Sequence, residues 1–170
     1  QEKLNAEQLD SLVANANVVL DCCDNFQTRQ VLNAACVKHV VPLVSGAVIR
    51  LDGQLTTYDV RDHQSPCYAC VFPKRPAVGL APSCAEAGVM GPAVMMMGAL
   101  QAQMALSVLL GHQPSPLGQM MSVDLAAWRV SSFRFDAAQE ETSQRPQIIG
   151  LSEITPADTV IELRGMIEAP

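Results

Sequence analysis

Apolar residues first recur at helical spacing in Leu9, Leu12 and Val13, behind Asn5-Ala-Glu-Gln8, where Asn5 can cap and Gln8 stands three positions on. This predicts a short amphipathic helix ending near Ala16. Asn17-Val-Val-Leu20 is a short β-branched run that breaks at Asp21-Cys-Cys-Asp-Asn25. From Thr28 to His39 the helical pattern returns in Val31, Leu32, Ala35 and Cys36. Val40-Val-Pro-Leu-Val44 is again continuously apolar, as suits a strand buried on both faces, so the order is strand, helix, parallel strand. The class is α/β.

Between Ala47 and Tyr58 the pattern loosens into strands with a turn expected at Asp52-Gly53. Arg61 to Pro82 is rich in Pro, Gly and polar residues and reads as a long loop or a small metal-organised excursion. Val89 to Leu110 is almost wholly apolar. Its Gln101 and Gln103, with Pro92 at the start and Gly111 and Pro114 at the close, favour a core or interface helix over a membrane span. Met120-Met-Ser-Val-Asp124 and Trp128 to Phe135 alternate as two further strands that extend the sheet in antiparallel fashion. The domain is expected to end near Asp136, with a linker over 137–147 and a separate segment from Ile148 to Pro170.

Composition narrows the function. With 49% hydrophobic and 16% charged residues, 170 residues can bury a core, and a net charge of −6 argues against a polyanionic partner. The six cysteines, in a chain with no signal peptide, read as reduced thiols of a cytoplasmic protein, although the start at Gln1 looks cut. Cys22, Cys23 and Cys36 are expected to be small buried hydrophobes, and Met90, Met95, Met96, Met97 and Met104 to fill core or interface gaps. His39 and His112 are given no role.

The chemistry begins at Asp21-Cys-Cys-Asp24-Asn25. Ligands of open α/β sheets bind beyond the carboxyl ends of strands, where a carboxylate can hold Mg²⁺ against phosphates, while the same Asp24 or Asn25 could simply cap the next helix. The run Leu20-Asp-Cys-Cys-Asp-Asn-Phe-Gln-Thr-Arg29, then Leu32-Asn-Ala-Ala-Cys36, Pro42-Leu-Val-Ser-Gly-Ala-Val-Ile-Arg50 and Gly53-Gln-Leu-Thr56, resembles the MoeB/ThiF/HesA family. Pro66-Cys-Tyr-Ala-Cys70, Pro82-Ser-Cys-Ala-Glu-Ala-Gly-Val-Met-Gly-Pro92 and Gly98-Ala-Leu-Gln-Ala102 continue the likeness in order, over roughly residues 3 to 135.

The resemblance implies a Rossmann-like ubiquitin-activating-enzyme fold whose N-terminal nucleotide-binding half is missing, since no G-x-G-x-x-G occurs here. The piece by itself is expected to be inactive. It also implies ATP-dependent adenylation of the C-terminal carboxylate of a ubiquitin-like sulfur-carrier protein, in molybdopterin or thiamine biosynthesis, by a homodimer. Asp24 matches the Mg²⁺-binding aspartate, and Asp24, Asn25 and Arg29 stand as contacts for Mg-ATP. Cys84 matches a loop cysteine that takes part in sulfur transfer in thiamine-type members. Cys67 and Cys70 match the first half of a four-cysteine zinc site, but no cysteine follows Cys84, so a loop that kept one cysteine pair, with His63 as a conceivable third ligand, is the expectation. The alternative function is a non-catalytic paralogue that docks the carrier. Ile154 to Gly165 resembles the opening of a rhodanese-like domain, truncated here.

Overall fold

The helix that follows the first strand is fixed at both ends by local chemistry. Asn25, in extended conformation, accepts a hydrogen bond from the Thr28 amide at 2.8 Å through its side chain and so starts α2 (Phe26–His39). At the far end Val40 adopts φ 59°, an uncommon conformation for a β-branched residue, and the Val41 amide reaches back to the Cys36 carbonyl at 2.9 Å. Basic Lys38 and His39 lie in the last turn, where the helix dipole favours them. Both contact Asp10 at 2.9 Å, tying α2 to α1 (Ala6–Ala14) and giving His39 a structural role.

This computed structural model describes residues 6–61, 65–73, 84–135 and 154–159. A five-stranded sheet runs in the order β1 (Val19–Asp21), β2 (Leu43–Ile49), β3 (Asp52–Tyr58), β4 (Gln119–Asp124), β5 (Arg129–Arg134). The β1–β2 pair is parallel and the other pairs are antiparallel. Alternate residues of the strands serve two cores. Leu43, Tyr58 and Met120 join Leu9, Val13, Leu32 and Cys36 on the face of α1 and α2. Val44, Leu55 and Val123 meet Met97, Met104 and Ala105 of α5 (Gly91–Leu109) on the other. Two short helices, α3 (Tyr68–Val71) and α4 (Cys84–Ala87), lie in the connection between β3 and α5.

Two expectations are corrected. The apolar run from Val40 does not start a strand: Val40 caps α2, and β2 begins at Leu43 and runs through Ile49 as one strand. The hairpin turns at Arg50 and Leu51, because Ile49 pairs with Asp52. Gly53 serves close packing instead, since a Cβ there would lie 2.4 Å from Met97 Sδ. Of the methionines expected in core or interface gaps, Met97 and Met104 are buried and Met95 is 78% exposed on α5.

Among the described residues α5 is the one helix long and apolar enough to cross a membrane, and it packs on β1, β2 and β3 with Ala93, Met97, Gln101, Met104 and Ala105 buried. Gln101 is the polar centre of that contact. Its Nε2 donates to the carbonyls of Asp21 at 2.8 Å and Val44 at 2.9 Å, so one side chain holds the ends of two strands to the helix. Gly46 makes room for it, since a Cβ there would fall 2.6 Å from Gln101 Oε1. The proposed linker lies outside the described residues, and of the segment resembling a rhodanese opening only 154–159 is described, an exposed turn closed by Thr155 and Asp158.

Replacing Gln101 by Leu keeps the volume but removes the second donor from each of two buried strand carbonyls that also accept within the β1–β2 ladder. The expected cost is about 2–4 kcal/mol, read as a lower urea midpoint with an unchanged slope.

Candidate functional site

At the carboxyl end of β1 the chain turns the Asp21 side chain inward, where it has 0% exposure. A carboxylate so placed is tolerable only with partners. Arg29 Nε lies 2.8 Å from its Oδ2, Ser45 Oγ donates to Oδ2 at 2.7 Å, and the Cys23 amide donates to Oδ1 at 2.9 Å. The Arg29 guanidinium extends further, donating to the Cys23 carbonyl at 2.6 Å and the Gly46 carbonyl at 3.0 Å. Its Cζ stands 5.9 Å from the centre of the Tyr68 ring. One ion pair therefore locks the β1–α2 loop to β2 and to α3.

Above this loop opens a cleft of ≈ 1320 Å³ between the ends of β1 and β2, the β3–β5 surface and α5. It brings together four residues singled out in the sequence: Asp24, Asn25, Arg29 and Cys84 all line it. Asp24 is exposed on the loop that the ion pair holds. Asn25 spends its side-chain oxygen on the α2 cap, so its free contribution to a ligand is its amide group. Arg29 acts mainly as a strut, because its nitrogens already face Asp21, Cys23 and Gly46. Cys84, the first residue of α4, points its thiol at the Val48 carbonyl 3.6 Å away.

Sequence reasoning missed Asp21, Ser45, Gly46 and Gln101, which build the floor and back wall. A signal existed for Gln101: an amide in an otherwise apolar helix must find hydrogen-bond partners inside. Cys22 also departs from expectation. It is exposed in the cleft and its thiol contacts Gln101 Oε1 at 3.4 Å, whereas Cys36 is fully buried. Burial, followed by the hydrogen bond with Asp21, pushes the Cys23 thiol up to about 12, and burial alone carries most of the rise of Cys36 to about 12.

Cys67 and Cys70 stand apart from the cleft. Their sulfurs are 3.3 Å apart at α3, on the α2 face of the sheet, where Asn33 donates to Cys67 Sγ at 3.6 Å and accepts from the Tyr68 amide at 2.9 Å. His63 lies outside the described residues. No group of three or more His, Cys, Asp or Glu that could hold a metal ion occurs among the described residues. Asp24 fits Mg²⁺ differently, since that ion commonly takes one or two protein carboxylates and completes its shell with phosphate and water.

The ThiF family matches residues 1–144. An adenylyltransferase and sulfurtransferase MOCS3 of Drosophila persimilis is 40% identical over 132 residues, covering 78% of this chain and 28% of that protein. A molybdopterin-synthase adenylyltransferase of Escherichia coli (strain K12) is 41% identical over 121 residues, covering 71% of this chain and 47% of that protein. The chain thus spans less than half the length of either relative. Among solved structures, E. coli MccB with ATP superposes with a TM-score of 0.61 at 15% identity, over 80% of this chain and 41% of MccB, a likeness of fold.

Two measurements check the cysteine assignments. Brief alkylation at pH 8 of the folded protein should modify Cys22 while leaving Cys23 and Cys36 unmodified in peptide mass spectra, since a thiol near 12 is about one part in ten thousand thiolate there. Elemental analysis should find well under one zinc per chain, because the two thiols of Cys67 and Cys70 are short of the four ligands required.

Proposed function

The chain belongs to the ThiF family, and on that premise we propose that it is part of an ATP-dependent enzyme that adenylates the C-terminal carboxylate of a ubiquitin-like sulfur-carrier protein. Molybdopterin or thiamine biosynthesis is the setting this reading favours, in the cytoplasm. The observation that carries it is Asp24, an exposed carboxylate at the carboxyl end of a parallel strand, on a loop fixed by a buried ion pair and facing an open cleft.

In the proposed reaction a carboxylate oxygen of the carrier attacks the α-phosphorus of ATP. The bond to the bridging oxygen breaks, pyrophosphate leaves with that electron pair, and an acyl adenylate remains. Asp24 would hold Mg²⁺, whose charge would offset that of the phosphates. Asp21 and Arg29 keep the loop carrying Asp24 from shifting, and Gln101 keeps β1 and β2 against α5 at the cleft's inner end. No protein nucleophile is needed for this step. Cys84, in the same cleft, is placed for a later sulfur transfer in a thiamine-type enzyme. The exposed Val94, Met95, Leu106 and Leu109 of α5 support a homodimer.

Carrier-dependent exchange of labelled pyrophosphate into ATP by the full-length protein tests the reading, since a paralogue that only docks the carrier would give none. Asp24→Asn should lower exchange about a hundredfold or more with unchanged thermal stability. Cys84→Ala should retain exchange and lose any transfer of sulfur to the carrier. Near-parental exchange by Asp24→Asn at saturating Mg-ATP would remove Asp24 from the metal site.

A further inference from the structure

Cys67 and Cys70 stand at the two ends of one helical turn. The Cys70 and Val71 amides donate to the Cys67 carbonyl at 3.0 and 3.1 Å, so α3 opens on Cys67 and carries Cys70 round to the same side. Their sulfurs lie 3.3 Å apart, and both residues are half-buried. The other four cysteines are placed elsewhere: Cys22, Cys23 and Cys84 line the cleft, and Cys36 has 0% exposure in the core.

A disulfide joins residues whose Cα atoms lie roughly 4.4–6.8 Å apart, and three residues of a helical turn span about 5 Å. The sulfurs have only to close from 3.3 Å to about 2.05 Å, a side-chain movement. Cys-x-x-Cys beside a β-α-β unit is also the spacing of redox-active dithiols. We propose that Cys67 and Cys70 form a reversible disulfide, a thiol switch that acts on the loop carrying Asp24. The oxidant is a small-molecule disulfide of the glutathione class. One protein thiolate attacks a sulfur of that molecule, its S–S bond breaks, and a small thiol leaves with the electron pair. The second protein thiolate attacks the protein sulfur of the mixed disulfide, which forms the Cys67–Cys70 bond and releases the second small thiol. The two protons given up by the protein end on the two small thiols. The pair is oxidised by two electrons and the small disulfide is reduced by two. Excess small thiol reverses both steps.

A chain of contacts carries closure toward the cleft. Asn33, buried on α2, donates to Cys67 Sγ at 3.6 Å and accepts from the Tyr68 amide at 2.9 Å. The Tyr68 ring lies beneath the Arg29 guanidinium, whose Cζ is 5.9 Å from the ring centre. Arg29 in turn holds Asp21 and the Cys23 carbonyl, which fix the loop ahead of Asp24. Drawing Cys67 Sγ toward Cys70 takes an acceptor from a buried amide and shifts the start of α3, where Tyr68 supports Arg29. The oxidised state is the looser one between Asp21 and Asn25.

The test equilibrates the full-length protein in buffers of reduced and oxidised glutathione, followed by acid quench, alkylation and trypsin. Residues 62–74 form one tryptic peptide that holds Cys67 and Cys70 and no other cysteine. In the oxidising buffer that peptide should be lighter by two hydrogens and unalkylated in more than about half of the molecules, and excess reduced glutathione should return it to the doubly alkylated form. Cys70→Ser should instead accumulate a glutathione adduct on Cys67, because the resolving thiol is gone. Hydrogen exchange of the amides from Asp21 to Arg29 should be about fivefold faster in the oxidised parent than in the reduced one. The double variant Cys67→Ser/Cys70→Ser, which retains the thiols of the cleft, should exchange alike in both buffers. A parent peptide that stays dithiol, that stops at the glutathione adduct, or that is shielded from alkylation by chelator-resistant zinc overturns the disulfide. A disulfide that leaves exchange from Asp21 to Arg29 unchanged, or an equal acceleration in the double variant, overturns the switch on the Asp24 loop.

Discussion

A carboxylate with no access to water governs the architecture. Asp21 ends the first strand, and a charge buried there demands compensation that no neighbouring strand residue alone provides. Arg29 supplies it from the first turns of α2, Ser45 from the parallel strand and the Cys23 amide from the loop between. Each partner is thereby placed relative to the others. The loop bearing Asp24 inherits its geometry from a network it does not itself join.

The two faces of the sheet then do different work. On the α1–α2 side, aromatic rings close the core around Tyr58, whose ring centre lies 6.0 Å from that of Tyr68 and 5.6 Å from that of Phe135. On the other side, packing is tighter near the cleft, where the absence of side chains at Gly46 and Gly53 lets α5 approach β2 and β3. Helix–sheet contacts of this closeness leave little freedom for the helix to slide. The cleft is bounded by a sheet end that cannot shift relative to α5 without breaking the Gln101 bonds.

Much of this was legible in the residues. The apolar runs and the helical spacings placed β1, β3, β4, β5 and the three longer helices, because those periodicities report burial directly, while β2 was split between two expected strands. Asp24, Asn25, Arg29 and Cys84 were found through motifs, and the fold gathers them in one cleft. The errors have physical sources. Asp52-Gly53 carries the signature of a turn, but Gly53 is needed where Met97 packs, and the turn moved two residues back to Arg50. Val40 is β-branched and apolar, yet cap geometry overrode its propensity. Cys22 was expected to be buried because strand periodicity does not resolve which residues border an open cleft. The partners of Asp21 lay beyond local pattern altogether, since Ser45 stands 24 positions away.

The reach of Gln101 has a consequence for how the molecule assembles. The contacts among β1, α2 and β2 join residues close in sequence, whereas the Gln101 bond to Asp21 closes a loop of 80 positions. Closing a long loop costs entropy before its contacts give any return, so local units form sooner. A ribosome that had released the chain only as far as residue 60 would have delivered the strands and the helix beneath Asp24 without α5, which packs over them. Until α5 emerged and docked, Gly46 and Gly53 would leave a bare strip of apolar sheet open to solvent and to other chains. The stretch of synthesis between Tyr58 and Gly91 is therefore an interval in which the nascent sheet is open to aggregation.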